Sequence, residues 1–238
     1  MSPSASSFRG HTPVVPPRIG PRPDRIDPAV LELLGGVPVA DVSDAIGRLY
    51  TMAPGIRPLY EPIRRTVGVA LTVKAVPGDN LAIHGALGMV QEQDVLVVDW
   101  LGYAEGCGSG ALSLIGPVGR GLRGIVIDGG WRDVTELAEH GFAVFGRGEA
   151  AFSPAKGEPG EINVPVCCGG VVVEPGDVVV ADSGGVAVIP RRHLDEVVQS
   201  LTGRQSPKPA DLPDARTDPA GAYKRYEEAF ESRGGARR

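Results

Sequence analysis

Residues 108–134 read GSGALSLIGPVGRGLRGIVIDGGWRDV, and this layout predicts one unit of an α/β sheet. A glycine-rich turn leads into a helix from about Ala111, and the glycines in residues 119–121 break that helix. Residues 124–128, GIVID, then read as a short apolar strand, and the glycine pair after it is expected to end it. The stretch therefore predicts a helix and a buried strand joined by glycine turns.

A pair of opposite charges, Arg132 and Asp133, follows this strand and opens the next helix. Ligands of open α/β sheets bind at the carboxyl ends of strands, where amides of a glycine-rich helix start can hold an anion. Arginine offers a planar fork for a carboxylate, and aspartate is a hard oxygen ligand for a cation such as Mg²⁺. Spacing alone leaves an alternative equally open, in which Asp133 caps the helix and Arg132 is its surface partner.

The flanking sequence continues the alternation of strands and helices. The predicted segments are strand 66–76, helix 81–90, strand 95–99, helix 134–140 and strand 142–145. Such alternation implies a parallel sheet with right-handed crossovers. Beyond Gly146, short β runs separated by Pro-Gly and Gly-Gly turns predict a small β-rich part.

Composition excludes several classes of protein. Hydrophobic residues make up 42% of the 238 positions, which is enough for a packed core. The formal net charge of −5 argues against a nucleic-acid partner, which requires a concentrated basic face. Three cysteines without a framework argue against a disulfide-built domain. No apolar run is long enough for a membrane span and no signal-peptide core is visible, so we expect a cytoplasmic protein without membrane contact.

The run GIVIDGGWRD resembles the signature of the RraA-like family, which includes class II pyruvate aldolases acting on 4-hydroxy-4-methyl-2-oxoglutarate and 4-carboxy-4-hydroxy-2-oxoadipate. Four other stretches agree with the family in the same order. They are VSDAIGR (42–48), GDNLAIHGAL (78–87), INVPV (162–166) and GDVVVADSGGVAVIP (176–190). The resemblance implies an α/β domain of the swivelling β/β/α type. Its central parallel or mixed sheet would be flanked by helices, beside the small β-rich part.

We expect this RraA-like domain to span residues 27–202. Residues 1–26 are rich in Pro, Ser and Arg and predict a disordered or draped arm. Residues 203–238 form a polar tail with one short helix, whose aromatic stripe predicts packing on a neighbouring subunit. The aromatic residues of that stripe are Tyr223, Tyr226 and Phe230.

The resemblance also implies roles for residues of the site. Arg132 would bind the carboxylate of a pyruvyl group, and Asp133 would hold Mg²⁺ or Mn²⁺. The backbone amides that would receive substrate oxygens are those of Gly110, Ala111, Leu112 and Ser113. A metal-bound pyruvate enolate serves both retro-aldol cleavage of a 4-hydroxy-2-oxo acid and decarboxylation of oxaloacetate, so the expected activity is that of a metal-dependent lyase.

One position departs from the pattern of the active aldolases. These have an acidic residue twenty-one positions before the arginine, thought to position a proton-transferring water, and here that position is Ala111. General-base help is typically worth about 10²–10⁴-fold in rate. Glu105, His84 and Asp99 are the candidates to replace the base, although a lone histidine on such a helix is more often structural.

Other functions stay open at this point. A diverged member could catalyse a hydration, an isomerisation or a cyclisation, and some relatives resemble non-catalytic regulators that bind an RNA-degrading enzyme.

The resemblance implies a homo-oligomer, trimer or hexamer, with the site near a subunit interface. It also implies an acidic residue from the neighbouring subunit, for which Glu227 and Glu228 are candidates. Trp100, Tyr103 and Trp131 would either shape the pocket or anchor an interface.

Overall fold

The computed structural model describes residues 16–202, 228 and 230–233. The chain forms two compact units, Met1–Leu201 and Thr202–Arg238. In the second unit, Glu228 and residues 230–232 are helical and Phe230 is exposed. The rest of the predicted tail helix, with Tyr223, Tyr226 and Glu227, lies outside the described residues. The boundaries of the arm, domain and tail stay a prediction.

The first unit alternates helices and strands in the order that the sequence predicts. Its helices are α1 (Pro28–Gly35), α2 (Val39–Ala45), α3 (Leu81–Gly88), α4 (Ile115–Gly119), α5 (Val134–Glu139) and α6 (Leu194–Thr202), with 3₁₀ turns at Ala111–Leu114 and Arg191–His193. Its strands begin with β1 (Arg57–Pro58), β2 (Thr66–Lys74), β3 (Asp94–Cys107), β4 (Gly124–Trp131), β5 (Ala143–Gly146) and β6 (Gly148–Glu149). They continue with β7 (Glu161–Ile162), β8 (Val166–Cys168), β9 (Val171–Val173), β10 (Val178–Asp182) and β11 (Gly185–Ile189).

Within the described residues, nine strands form one mixed sheet along the path β1-β5-β4-β3-β2-β10-β11, with β6 added to β4 and β7 to β2. The pairs β2–β3, β3–β4 and β4–β5 are parallel, while β10 pairs antiparallel with both β2 and β11. The end strands β1 and β11 approach each other, so the sheet nearly closes. The predicted α/β fold with a central mixed sheet is confirmed.

The apolar strands form the buried centre because both of their faces are covered. Every residue of β4 is buried, which is typical of a parallel strand between two layers. Helix α1 begins with a side-chain cap: the Asp27 carboxylate accepts a hydrogen bond of 2.9 Å from the Ala29 amide, and Pro28 stands in the first turn. No helix in the described ranges is both long and apolar enough to cross a membrane.

Two strands are longer than predicted, because Gly106, Gly129 and Gly130 allow close packing there and do not form turns. Gly129 pairs with Tyr103 and Gly130 with Cys107, so β4 runs on to Trp131 and the glycine-rich segment after Asp99 belongs to β3. A Cβ atom at Gly130 would lie only 2.5 Å from the Gly106 carbonyl oxygen. The prediction that the glycine pair ends the strand was therefore wrong.

The described part of the N-terminal arm is attached to the sheet. Arg22 and Arg25 form ion pairs of 2.5 and 2.9 Å with Asp94, whose side chain is fully buried at the start of β3. A buried carboxylate of this kind is tolerated only when it is paired, since losing its partners typically costs about 3–5 kcal/mol. The arm therefore contributes to the stability of the sheet.

Candidate active site

A pocket of about 240 Å³ lies where β3 and β4 end. Six of the residues predicted for the site line it: His84, Gly110, Leu112, Ser113, Arg132 and Asp133. Six further residues complete the wall: Asn80, Cys107, Ser109, Ser153, Pro154 and Lys156. The glycine turn and the Arg–Asp pair therefore meet, as their placement after neighbouring parallel strands predicts.

Asp133 occupies the position that would cap α5, but its side chain does not cap the helix. Its backbone is left-handed, with φ 58° and ψ 38°, a conformation that aspartate tolerates better than most residues. The carboxylate reaches across instead, and Oδ2 accepts a hydrogen bond of 2.9 Å from the Ala111 amide. Residues held in this conformation cluster at functional sites, because the surrounding structure must impose it.

Arg132 lies beside this carboxylate, with 3.8 Å between its Nε and Oδ2 of Asp133. Nη1 donates a hydrogen bond of 2.8 Å to Ser153 Oγ, while the buried Nε has no hydrogen-bond partner. The side chain keeps 42% of its surface exposed. The guanidinium thus retains donor capacity at the pocket.

Gly110 allows the two charged side chains to approach the turn. A Cβ atom at this position would overlap Asp133 Oδ2 and lie 2.8 Å from Arg132 Nε. The glycine is therefore required by the close approach of side chains.

The amides of the turn are less available than the resemblance implies. The Ala111 amide is bonded to Asp133, and the Ser113 amide donates to the Gly110 carbonyl oxygen at 3.2 Å. The hydroxyls of Ser109 and Ser113 are 2.7 Å apart. Two of the four amides predicted to receive substrate oxygens thus already have partners: the Ala111 amide bonds Asp133, and the Ser113 amide closes the 3₁₀ turn.

His84 and Asn80 form the wall contributed by α3 and its N-terminus. Asn80 Nδ2 lies 3.2 Å from His84 Nε2, and since an amide nitrogen donates, Nε2 must accept. Burial lowers the pKa of His84, and the positive charge of Lys156 lowers it further. His84 is therefore neutral in this arrangement, and its accepting nitrogen is engaged by Asn80. This argues against the predicted use of His84 as the replacement base.

The opposite wall comes from the segment 152–158, which the sequence reasoning missed. Asp79 Oδ2 accepts hydrogen bonds from the Gly157 and Glu158 amides at 2.6 and 3.1 Å, and Oδ1 accepts from Leu81. Burial alone would raise the pKa of Asp79, but the three amides and Lys156 outweigh it and the pKa is lowered. This carboxylate joins the start of α3 to the segment that carries Ser153 and Lys156.

Glu105 and Asp99, two of the candidate bases, do not reach the pocket. Glu105 is exposed on β3, because that segment is a strand and not an inward-folded loop. Asp99 accepts hydrogen bonds of 3.1 Å from the Leu101 and Cys167 amides and so fixes local structure. Among the residues that line the pocket, therefore, neither of these two acids replaces the catalytic base that is missing at Ala111.

The aromatic residues near the site are core residues. Trp100 and Trp131 are fully buried, and Trp100 donates a hydrogen bond of 2.6 Å to the Val76 carbonyl. Tyr103 packs edge-on against Trp100, with 5.3 Å between the ring centroids. None of the three lines this pocket, and the alternative that they anchor a subunit interface stays a prediction.

Asp133 is the carboxylate of the pocket that could hold a cation. Over the described ranges no group of three or more His, Cys, Asp and Glu side chains is arranged to hold a metal. Mg²⁺ is commonly bound by one or two carboxylates, with waters and substrate oxygens completing its shell. A single aspartate beside an open cavity fits that mode, and it does not fit a structural zinc site.

The family model described as RraA-like, Aldolase/RraA, matches residues 39–188. The chain belongs to the RraA-like family. A protein of Halalkalibacterium halodurans with the name "Putative 4-hydroxy-4-methyl-2-oxoglutarate aldolase" is 36% identical over 170 residues, which cover 71% of this chain and 80% of that protein.

Two solved RraA structures have the same fold. Streptomyces coelicolor RraAS2, called an unusual member of the RNase ES inhibitor RraA protein family, superposes with a TM-score of 0.68 at 31% identity, over 76% of this chain and 93% of the other. The RNA-processing inhibitor RraA of Thermus thermophilis gives a TM-score of 0.59 at 26% identity, over 65% and 93% of the two chains. Relatives in the RraA-like family thus carry both aldolase and regulator names.

Proposed function

We propose that this RraA-like protein is a lyase that acts on 2-oxo acids with a divalent cation, Mg²⁺ or Mn²⁺. The reaction is retro-aldol cleavage of a 4-hydroxy-2-oxo acid, decarboxylation of oxaloacetate, or both. The observation that carries the proposal is the meeting of Arg132, Asp133 and the glycine turn at one pocket. The aldolase name of the relative from Halalkalibacterium halodurans supports the same class of reaction.

Each residue has a task in this proposal. Arg132, whose side chain lines the pocket and is 42% exposed, binds the carboxylate of the 2-oxo acid by charge-assisted hydrogen bonds. Asp133 holds the cation, and the Ala111 amide keeps its carboxylate in place through Oδ2. The cation, when bound, supplies the positive charge that stabilises a pyruvate enolate.

The two reactions make different demands on the pocket. Retro-aldol cleavage requires a group that removes the proton from the 4-hydroxyl, whereas loss of carbon dioxide from oxaloacetate does not. Since position 111 is an alanine and no acid replaces it at the pocket, oxaloacetate decarboxylation is the reaction that this arrangement favours.

The proposal is tested by measuring pyruvate release from oxaloacetate with Mg²⁺ and with EDTA. We expect release that requires Mg²⁺, exceeds the rate of Mg²⁺ alone, and is abolished in Asp133→Asn. Asp182→Asn is the matched control, since this carboxylate also accepts backbone hydrogen bonds but lies outside the pocket. Equal release by wild type and Asp133→Asn would contradict the proposal.

Substitution of Ala111 by Asp tests the account of the missing base. Its side chain would stand beside the glycine turn, where the active aldolases are expected to have their acid. We expect cleavage of 4-hydroxy-4-methyl-2-oxoglutarate to rise by about 10²-fold or more, within the usual range for general-base help. An unchanged cleavage rate in a folded Ala111→Asp variant would contradict the account.

A regulatory role is the second candidate, because two of the solved neighbours are described as inhibitors of RNA processing or of an RNase. The resemblance implies that such regulators tend to lose the metal-binding acid, so the presence of Asp133 here favours the lyase. A protein that neither binds pyruvate with Mg²⁺ nor releases it from oxaloacetate would favour the regulator.

A further inference from the structure

The N-terminal arm pairs with β7 through its backbone. The Gly20 amide donates a hydrogen bond of 2.8 Å to the Ile162 carbonyl oxygen, and the Ile162 amide donates one of 3.1 Å to the Arg18 carbonyl oxygen. The Asn163 side chain adds a third, from Nδ2 to the Pro21 carbonyl oxygen at 2.6 Å. Since β7 pairs with β2 along its other edge, the arm closes the edge of β7 that would otherwise be free.

The residues at this contact suit a docked arm. A Cβ atom at Gly20 would lie 2.0 Å from the Asn163 carbonyl oxygen, so the glycine is required by the close approach of two backbones. Asn163 is 3% exposed and left-handed, with φ 60°, a conformation that asparagine tolerates better than most residues. Pro21 and Pro23 have no amide hydrogen to extend the pairing. The arm therefore docks through a short segment that the Asn163 side chain completes.

The residue that the arm binds is connected to two walls of the pocket. Ile162 follows the segment 152–158, which contributes Ser153 and Lys156 to the pocket lining. Its buried side chain packs against α3, since Cδ1 would lie 3.1 Å from a Cβ atom built at Gly85. His84, the neighbour of this glycine, lines the pocket from α3. A displacement of β7 is therefore expected to reach both walls.

We propose that arm residues 18–22 position these two walls, so that docking of the arm and binding in the pocket stabilise each other. Without the arm, Ile162 loses both of its backbone partners, and a strand of two residues held along one edge opens more often. Coupling between two binding events is reciprocal, so a ligand in the pocket strengthens docking by the factor by which docking strengthens its binding. The identity of that ligand, a 2-oxo acid with Mg²⁺, rests on the proposed function.

The first experiment releases the arm and needs no ligand. Gly20→Val places a side chain where the Asn163 carbonyl oxygen lies, and hydrogen exchange is measured at Ile162 and at the wall amides of Gly157 and Glu158. We expect all three amides to exchange about tenfold faster or more, as the loss of one or two hydrogen bonds implies. Exchange at Gly157 and Glu158 that stays at the wild-type rate overturns the inference.

Ile19→Ala is the matched control in the same arm. Ile19 is 64% exposed, and the backbone hydrogen bonds on either side of it do not involve its side chain. It should leave exchange at Ile162, Gly157 and Glu158 unchanged. Equal acceleration in Ile19→Ala and Gly20→Val would show that the close approach at Gly20 has no part in the coupling.

A second variant releases the arm from the opposite side of the contact. Asn163→Gly removes the amide that holds Pro21, while glycine adopts the left-handed backbone of position 163 without strain. We expect faster exchange at Gly157 and Glu158 here too, because the arm again loses a partner. Wild-type exchange at these two amides would contradict the proposed coupling even if Gly20→Val failed to fold.

The third experiment tests reciprocity in the wild-type protein. Saturating pyruvate with Mg²⁺ should slow exchange at Gly20 and Ile162 by the factor by which Gly20→Val weakens pyruvate binding, about tenfold. Unchanged exchange at these two amides, with pyruvate bound, overturns the inference. Failure of the lyase proposal would appear differently, as absence of pyruvate binding to the wild-type protein, and the two variants would still decide whether the arm holds the walls.

Discussion

A methyl group at position 110 would occupy the space that the Asp133 carboxylate now takes. We therefore expect Gly110→Ala to displace Asp133 and Arg132, and to lower pyruvate release from oxaloacetate by about a hundredfold, the usual cost of a displacement near 1 Å at a reacting group. The free energy of unfolding should fall by about 1–3 kcal/mol through overpacking. Steady-state kinetics and urea denaturation measure the two effects.

Gly119→Ala is the matched control for this substitution. Nothing lies within 4 Å of a Cβ atom built at Gly119, and its backbone is not left-handed. It should keep wild-type activity. Equal activity of the two variants would show that the close approach at Gly110 is not needed for activity.

His84 provides a prediction about pH. Burial, aided by Lys156, lowers its pKa below the ordinary value of 6.5. The folded protein then binds this proton less tightly than the unfolded chain, so the contribution to stability is present above pH 6.5 and is lost as the pH falls through the folded pKa. We expect the ring signals of His84 in NMR spectra to titrate below pH 6.5, with assignment by His84→Gln. A midpoint above 6.5 would contradict the assigned hydrogen bond from Asn80.

At the scale of elements, one carboxylate joins two walls of the pocket. Asp79 binds the amides of Gly157 and Glu158 and that of Leu81, and the amides hold its pKa low despite burial. Asp79→Asn weakens these charge-assisted bonds. We therefore expect faster hydrogen exchange at Gly157 and Glu158 and weaker pyruvate binding, while β2 and β3 keep their protection.

Asp182→Asn serves again as the control, since it loosens backbone contacts far from the segment 152–158. It should leave exchange at Gly157 unchanged. Unchanged exchange at Gly157 in Asp79→Asn as well would show that other contacts hold this wall.

The order of the elements was predictable, but their lengths were not. Apolar runs such as residues 124–128 identify buried strands because both faces of a parallel strand are covered. The glycines of β3 and β4 were misread, since glycine in a sequence indicates a turn as readily as a close approach of two backbones. Only the pairing of Gly130 with Cys107 distinguishes the two cases.

The sequence predicts only part of the site, because only some of its residues lie next to a predictable element. Arg132 and Asp133 follow a strand directly, so their place could be inferred from the chain around them. Ser153 and Lys156 lie on an irregular segment whose position depends on Asp79, more than seventy positions earlier. The one local signal is the pair Asp79-Asn80 before the predicted helix 81–90, and such a pair in a sequence indicates only a turn.

For the whole molecule, an apolar row suggests where a second copy would bind. Leu112, Ile115 and Val118 are 80%, 70% and 44% exposed, at a spacing that places them on one side of the segment leaving the pocket. Exposed apolar patches of this kind mark interaction sites. Since family resemblance predicts a homo-oligomer with its site near an interface, we propose that this row contacts a neighbouring subunit.

Ile115→Lys tests this contact. We expect the wild-type protein to have the mass of a trimer or hexamer in light scattering, and the variant to dissociate and lose activity. Leu49→Lys is the control, because Leu49 is 83% exposed and not part of the row. A wild-type monomer, or an intact oligomer in Ile115→Lys, would contradict the proposed contact.

Calorimetric titration of pyruvate into the protein tests most directly whether Arg132 and Asp133 grip a 2-oxo acid through a cation. The account predicts binding in Mg²⁺, loss of binding in EDTA, and loss of binding in both Arg132→Met and Asp133→Asn with Mg²⁺ present. Binding that is equally tight in EDTA and in both variants, or no binding by the wild-type protein, would contradict it.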